Sequence, residues 1–428
     1  MMIKKIKVSN FKSFGEEEIT FDNFNVIVGP NSAGKSNFVE IFKFLTDVSK
    51  YGLENAVSMQ GGFELLKNVI LPKEQEIGFE IYYQNGAGKL IPDNRILEIT
   101  EIIYKFKIRK NNGTNKIEVV DDEVTQRGKL YSVDKSLMSK IINKESGFKL
   151  DEKDKKFLTD INAKLTNKDG MISTDYKDNE YLQSGDIYPI VRMFELFSSK
   201  DEYKLILEMP QMFYLPPTIY FDGIAIYDFD PKLPKKAVPI TGKTELEKDG
   251  SNLAIVIKQL FKNERNERKF YNLIKKLLPA INRIDVDKSA DKRMFFNVCE
   301  EHHSERMPSC FISDGTINII AMIIALFFED NMLVIIEEPE RNLHPKLMSK
   351  LVGLLRDASR NKQIILTTHN PELVKYAGLD SLIFISRNKL GCSQLKKVSK
   401  DDKFIKSFLG NHVGLDKIYI ENLLENRD

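Results

Sequence analysis

The sequence predicts an α/β fold with a mixed central sheet, an antiparallel β layer and an inserted helical arm. Three observations predict it. A glycine-rich loop, Gly29-Pro30-Asn31-Ser32-Ala33-Gly34-Lys35-Ser36, lies between a strand-like run (Phe24–Val28) and a helix-like run (Asn37–Leu45). Alternating β-rich segments follow at 77–83, 96–108 and 116–120, with Asn-Gly turns at Asn85-Gly86 and Asn112-Gly113. In the last third, buried-strand runs alternate with helical ones, the pattern of a parallel sheet covered by helices.

The chain has 428 residues, enough for one large or two smaller domains. Hydrophobic residues make up 42% and charged residues 29%, a globular composition with a sizeable core. The 64 Lys and Arg against 62 Asp and Glu leave a formal charge of +2, so no global basic excess points to nucleic acid. The scattered cysteines, Cys299, Cys310 and Cys392, form neither a metal spacing nor a disulfide framework. No apolar run is long enough to span a bilayer, and the N-terminus lacks a signal-peptide core. A cytoplasmic protein is expected.

Taken in order, residues 2–28 read as three short strands. The turn Ser9-Asn10-Phe11-Lys12-Ser13-Phe14-Gly15 joins the first two, its aromatics reading as core. A helix at 35–49 follows the loop, and the β-rich segments come next. Lys135–Asn143 and Asp151–Leu165 are charged and read as helices of a solvated arm. The proline-rich stretch 211–242 looks like a connector. Leu246–Phe261 contains a helix that Ser251 or Asn252 can cap, and Glu264–Leu278 is an amphipathic helix. Three divisions are expected: 1–130, 131–245 and 246–428. The apolar helix Ile317–Phe328 precedes a buried strand, Met332–Ile336, that ends in Glu337-Glu338. A helix at Lys346–Ser359 leads to a second strand, Gln363–Leu366, ending in Thr367-Thr368-His369-Asn370. The last helix is expected at Asp416–Leu424.

The loop Gly29–Ser36 has the G-x-x-x-x-G-K-S spacing that wraps backbone N–H groups around phosphate oxygens. The helix that begins there, through Asn37, adds its positive end. Lys35 would reach the β- and γ-phosphates, and Ser36 would ligate Mg²⁺. In parallel sheets ligands bind at the carboxyl ends of strands, where Glu337, Glu338 and His369 all fall. Glu337 would hold Mg²⁺, directly or through water, and Glu338 would act as general base, its pKa raised by burial and by the neighbouring carboxylate, with the metal opposing that shift. His369 could bond the γ-phosphate. Ser313-Asp314-Gly315-Thr316 is ordinary capping chemistry, yet also a ready anion site if two copies meet head-to-tail. His302-His303 lack the second cluster that a metal site requires.

These motifs, together with Glu337-Glu338-Pro339-Glu340, Leu343-His344-Pro345 and Asp249-Gly250-Ser251-Asn252-Leu253, resemble the ABC-type ATPases. The similarity is greatest to the OLD-like and RecF-like AAA-family branch. The resemblance covers both ends of the chain and covers 110–245 poorly. It implies an ABC-type P-loop NTPase head in which Lys35 and Ser36 belong to Walker A, and Glu337 and Glu338 to Walker B. Ser313 and Gly315 would be the signature residues and His369 the switch histidine. Glu337 departs from the Asp of transporter and condensin-like heads, and Gln60 and Gln84 are candidates for the glutamine loop. ATP and Mg²⁺ are the implied ligands, in composite sites of a homodimer or a higher oligomer. No Asp-x-Asp of a Toprim nuclease follows His369, so no cutting of nucleic acid by this polypeptide is expected. The resemblance extends to ATPase subunits of antiphage systems such as Septu, PARIS or retron-associated ATPases, which act through a separate nuclease or toxin effector. A RecF-like DNA-repair clamp and a scaffold that binds ATP structurally are the alternatives.

Overall fold

The computed structural model describes residues 2–71, 76–84, 88–91, 94–134, 152–168, 171–175, 204–208, 221–301 and 305–397. The helix expected at Lys135–Asn143, the Asn85-Gly86 turn, His302-His303 and the helix expected at Asp416–Leu424 lie outside them.

The chain starts as foreseen, with β1 (Met2–Phe11), β2 (Phe14–Thr20), β3 (Phe24–Val28) and α1 (Lys35–Tyr51). Two short helices follow, α2 (Leu53–Met59) and α3 (Phe63–Leu66). The β-rich stretch forms β4 (Glu76–Gln84), β5 (Gly88–Ile91), β6 (Arg95–Lys110), β7 (Ile117–Ser132), β8 (Lys156–Lys168) and β9 (Met171–Asp175). Two compact units emerge. The first comprises 1–21, 40–222 and 388–393, and the second 22–39, 223–387 and 394–428.

The first unit is an antiparallel sheet in the order β2-β1-β4-β6-β7-β8-β9, with β5 on β6. Its strands alternate as a half-buried sheet requires. Ile102, Tyr104, Phe106 and Ile108 of β6 are fully buried. Phe79 stands 5.3 Å from Phe11, 5.6 Å from Phe44 and 5.0 Å from Phe106, ring centre to ring centre, so α1 packs on β1, β4 and β6 through aromatics. Phe11 and Phe14 are therefore core. The opposite face carries ion pairs such as Lys105–Asp121 at 2.7 Å, which contribute little stability in water. At the Asn112-Gly113 turn between β6 and β7, the Asn111 side chain accepts from the N–H groups of Gly113 and Thr114.

The helix expected over Asp151–Leu165 is a strand. In β8, Ile161, Ala163 and Leu165 are buried while Asn162 and Lys164 face water. That is a period of two, and β8 pairs antiparallel along β7 from Lys156 to Thr166. The abundant charge marks the wet face of a sheet rather than of a helix.

One polar cluster interrupts this sheet. Asp122 on β7 is 1% exposed, and its Oδ2 accepts from Asn167 Nδ2 (2.9 Å) and from the Ile206 N–H (2.8 Å). Among the described residues, Asn167 Oδ1 finds no hydrogen-bond partner. Glu208, two residues beyond Ile206, accepts from the Leu53 N–H at 3.0 Å and so caps α2, whose own N-cap is Gly52.

The second unit holds β10 (Ile224–Tyr227), β11 (Val238–Pro239), α4 (Leu253–Leu260), α5 (Glu264–Leu277), β12 (Ile281–Lys288), β13 (Arg293–Glu300) and β14 (Met307–Pro308). It continues with α6 (Asp314–Phe327), β15 (Leu333–Glu337), α7 (Met348–Ala358), β16 (Gln363–Thr368), α8 (Pro371–Ala377), β17 (Leu382–Arg387) and β18 (Ser393–Lys397), whose first residue belongs to the first unit. Strands β10-β15-β16-β3-β17 are parallel. A separate antiparallel sheet runs β11-β13-β12, with β14 on β13. Helix α6 is buried almost all round, from Ile317 through Leu326, as its uniformly apolar sequence demands. Asn252 precedes α4 but makes no capping bond. Its side chain instead accepts from the Glu247 N–H and donates to the carbonyls of Lys243 and Glu245, binding the preceding loop together.

Burial pushes the Asp122 carboxyl up to about 7, against the opposing bonds from Ile206 and Asn167. The unfolded value is ~3.9. The folded value is the higher one, so stability is fully present below ~4 and is lost progressively as pH rises to about 7, then stays flat. Asp122→Asn keeps the shape and removes the titration. Its melting temperature should rise relative to wild type between pH 4 and pH 7 and hold a constant lead above that, as read by thermal denaturation across pH.

Candidate functional site

Apart from the glutamine-loop candidates, every residue singled out from the sequence for nucleotide chemistry lies in the second unit. Strand β3 is buried throughout and delivers Gly29 to the carboxyl edge of the sheet. A Cβ on Gly29 would stand 2.3 Å from the carbonyl oxygen of Ile385, so only glycine lets the chain turn there. Ser32 (φ 67) and Gly34 (φ 113) adopt the left-handed conformations that curl the loop. The Phe38 N–H then bonds the Gly34 carbonyl at 2.9 Å and starts the helix. Asn31, Ser32 and Ser36 are exposed, Asn37 is half-buried, and Ala33 packs inward. The cradle is the kind a phosphate chain fits.

The Lys35 ammonium donates to the carbonyls of Gly29 and Pro30, both at 2.9 Å. Burial lowers its pKa, and the carboxylates of Glu338, Glu340 and Glu337 oppose that shift. The three acids therefore act on the same ammonium that a phosphate would neutralise.

Strand register places the second half of the site. Glu337 lies opposite Thr367, and Thr367 lies opposite Ile27, one residue before Val28 ends β3. The phosphate loop, the acid pair and His369 thus leave three adjacent parallel strands at one edge. Glu338 follows the end of β15 with φ 45, a left-handed conformation unusual for a glutamate. Its N–H bonds the Thr367 carbonyl at 2.9 Å. Its Oε1 lies 2.6 Å from His369 Nδ1, and its Oε2 accepts from Arg341 Nη2 at 3.3 Å.

The expected upward shift of the Glu338 pKa is corrected by this geometry. Burial pushes it up, but His369 and Arg341 outweigh burial, and the carboxyl is held below its ordinary value. The acid with the raised value is Glu340. It is 5% exposed, accepts from the Thr368 hydroxyl, and burial pushes it up to about 6. Charge alone could not have told these two acids apart in the sequence.

Ser313 caps α6, its Oγ accepting from the Thr316 N–H at 3.1 Å. Gly315 packs on the loop after the acid pair, where a Cβ would stand 2.6 Å from the Asn342 carbonyl oxygen. Gly315 therefore meets the 342–343 loop, and Ser313 holds α6 itself, at the start of a helix that opens with Asp314 paired to Lys235 at 2.5 Å. Of the two glutamine-loop candidates, Gln60 lies in the first unit and accepts from Lys12 Nζ at 2.8 Å, and Gln84 ends β4 of the same unit.

The donors suit Mg²⁺, which takes hard oxygen ligands and usually only one or two from protein. The exposed Ser36 hydroxyl and the half-buried Glu337 carboxylate are such donors. Substituting Gly29→Ala should abolish nucleotide binding and destabilise the protein by about 1–3 kcal/mol, because the added carbon meets backbone that cannot yield. Equilibrium ATP binding and chemical denaturation of the variant check both effects.

Sequence comparison gives partial relatives. One segment is 24% identical over 147 residues to the DNA replication and repair protein RecF of Agathobacter rectalis, covering 31% of this chain and 41% of RecF. Another is 30% identical over 112 residues to the chromosome partition protein Smc of Rhodopirellula baltica, covering 24% of this chain and 9% of Smc. A third is 38% identical over 58 residues to the endonuclease GajA of Bacillus cereus, covering 13% of this chain and 10% of GajA. The chain thus spans less than half the length of each of these relatives. Among solved structures, an Smc head bound to the C-terminal winged-helix domain of ScpA aligns with a TM-score of 0.49 at 13% identity, covering 94% of this chain and 99% of that one. The Thermotoga maritima SMC head aligns with a TM-score of 0.43, also at 13% identity, covering 93% and 100%. Residues 24–375, which include every element of the site, match the family described as AAA domain, putative AbiEii toxin, Type IV TA system, and the chain belongs to that family.

Proposed function

We propose that this chain binds and hydrolyses ATP and works as a nucleotide-driven switch in a homodimer with composite sites. The observation that carries the reading is the shared carboxyl edge of β3, β15 and β16, where the phosphate loop meets Glu338 and His369. The backbone of Gly29–Ser36 binds the phosphates, and Lys35 turns from its carbonyls to the β- and γ-phosphates. Ser36 and Glu337 would hold Mg²⁺, which would offset the negative charge of the phosphates. Glu338 takes the proton of the attacking water, and His369 orients that carboxylate and can bond the γ-phosphate. Ser313 and Gly315, at the positive end of α6, complete the site of a second copy placed head-to-tail. Turnover is slow, as suits a regulatory head. The change in state on binding and hydrolysis alters affinity for a separate effector, a nuclease or toxin, in an antiphage complex. Likeness to segments of GajA, RecF and Smc supports the reading at the level of the ATPase head.

General-base catalysis contributes ~10²–10⁴ in rate. Glu338→Gln should therefore lower phosphate release by at least about 100-fold while ATP binding persists. Lys35→Ala should lose ATP binding. Light scattering of Glu338→Gln with ATP and Mg²⁺ should show a dimer that the Lys35→Ala variant does not form. Wild-type turnover by Glu338→Gln would refute the assignment of the base. Capture of DNA alone by the locked dimer, released by salt, would replace the effector reading with a DNA clamp.

A further inference from the structure

Arg341 has no place in the reading above, yet it touches Glu338 itself. Its guanidinium forks. Nη1 donates to Asp228 Oδ1 at 3.0 Å and Nη2 to Glu338 Oε2 at 3.3 Å. Asp228 directly follows β10, whose Tyr227 pairs with Ile336 of β15. The arginine backbone is fixed as well. Its N–H bonds the Glu338 carbonyl at 3.0 Å. Its carbonyl accepts from Asn318 Nδ2 at 2.8 Å. Asn318 is 3% exposed, the sole polar side chain on the buried length of α6 between Ile317 and Leu326. One residue on, the Asn342 carbonyl abuts Gly315 at the start of that helix.

We propose that Arg341 is a positioning residue that fixes the Glu338 carboxylate and ties it to the signature end of α6 in the same subunit. The inference rests on the proposed ATPase reading. Asn318 and Gly315 couple the helix to the backbone of residues 341–342, and the guanidinium couples that backbone to the base. With Arg341 on Oε2 and His369 on Oε1, both carboxylate oxygens are held and the group cannot rotate. When the partner's nucleotide engages Ser313 and Gly315, a displacement of α6 reaches Glu338 through two contacts.

A plain surface ion pair makes a different prediction. The Glu338, Arg341 and Asp228 side chains are 24%, 40% and 56% exposed, so the pairs hardly affect folding stability. Misplacing a catalytic group by about 1 Å, by contrast, costs ~10²-fold in rate. The signature of positioning is a fall in kcat with an unchanged KM and an unchanged melting temperature.

The test is steady-state phosphate release by the full chain over a range of ATP concentrations. Arg341→Ala should lower kcat by about 10- to 100-fold, leave KM within about twofold and melt as wild type does. Arg341→Lys should recover part of the rate, since lysine reaches one carboxylate but cannot bridge two. Asp228→Asn, which keeps shape and loosens the fork, should lower kcat several-fold. The double variant Glu338→Gln/Arg341→Ala should be no slower than Glu338→Gln alone, because the arginine acts through the glutamate. Wild-type kcat in Arg341→Ala, or a KM that rises with the loss, overturns the inference and leaves the ATPase reading standing. A further loss in the double variant also overturns it. If Arg341→Ala fails to fold, Arg341→Lys and Asp228→Asn decide, and wild-type kcat in both overturns it. A wild-type protein without turnover overturns the ATPase reading, and the inference with it.

Discussion

The register among β15, β16 and β3 is the constraint on which the candidate site depends. A one-residue slip would turn every side chain of a strand to the other face. Strands buried on both faces by isoleucine and valine offer no polar pattern of their own to prevent such a slip. The register is pinned at the amino edge. Asn25 is fully buried, accepts from the Asp22 N–H at 2.9 Å, and donates to the carbonyls of Asp22 (2.7 Å) and Ile364 (3.4 Å). Gln363 donates to the Asp22 carbonyl from the neighbouring strand at 3.0 Å. Bonds at one end of the sheet thereby set which residues meet at the other. Glu337, Thr367 and Ile27 form one row, and the loop, the acids and the histidine all begin just beyond it.

At that edge the backbone holds strain. A non-glycine residue in the left-handed region costs about 1–3 kcal/mol and persists only when its surroundings demand it. Glu338 is in that region, and Asn342 (φ 63) closes the same turn. The bonds that hold Glu338 there are its N–H to Thr367, its carbonyl from the Arg341 N–H, and its two carboxylate contacts. The neighbouring Glu340 takes the opposite role, buried, neutral more readily, and bonded to the Thr368 hydroxyl that precedes His369. Two acids two residues apart thus differ through their surroundings, one in contact with cations and one enclosed.

Much of this architecture could be read from residues alone because the signals are local. The Gly29–Ser36 spacing, the apolar run into Glu337 and the run into His369 each carry their own meaning, and parallel-sheet topology brings their ends to one side. What escaped the reading depends on partners distant in sequence. The helix expected over Asp151–Leu165 is β8, because the length of β7 offers it a partner and its alternation outweighs its charge. The sign of the Glu338 shift depends on His369 and Arg341. The loop-binding role of Asn252 depends on carbonyls before it. The Asp122–Asn167 pair is invisible until β7 and β8 lie side by side.

The cap on α2 has a consequence for how the chain is made. Leu53 receives its acceptor from Glu208, 155 residues later. A ribosome adding about 5–20 residues per second leaves that helix end without its acceptor for roughly 10–30 seconds. Helix α2 and the β-rich stretch emerge first and must wait for the segment that closes them. The first unit is therefore completed late in its own synthesis, and a chain halted before Glu208 would display the open end of α2 to whatever chaperone or protease meets it.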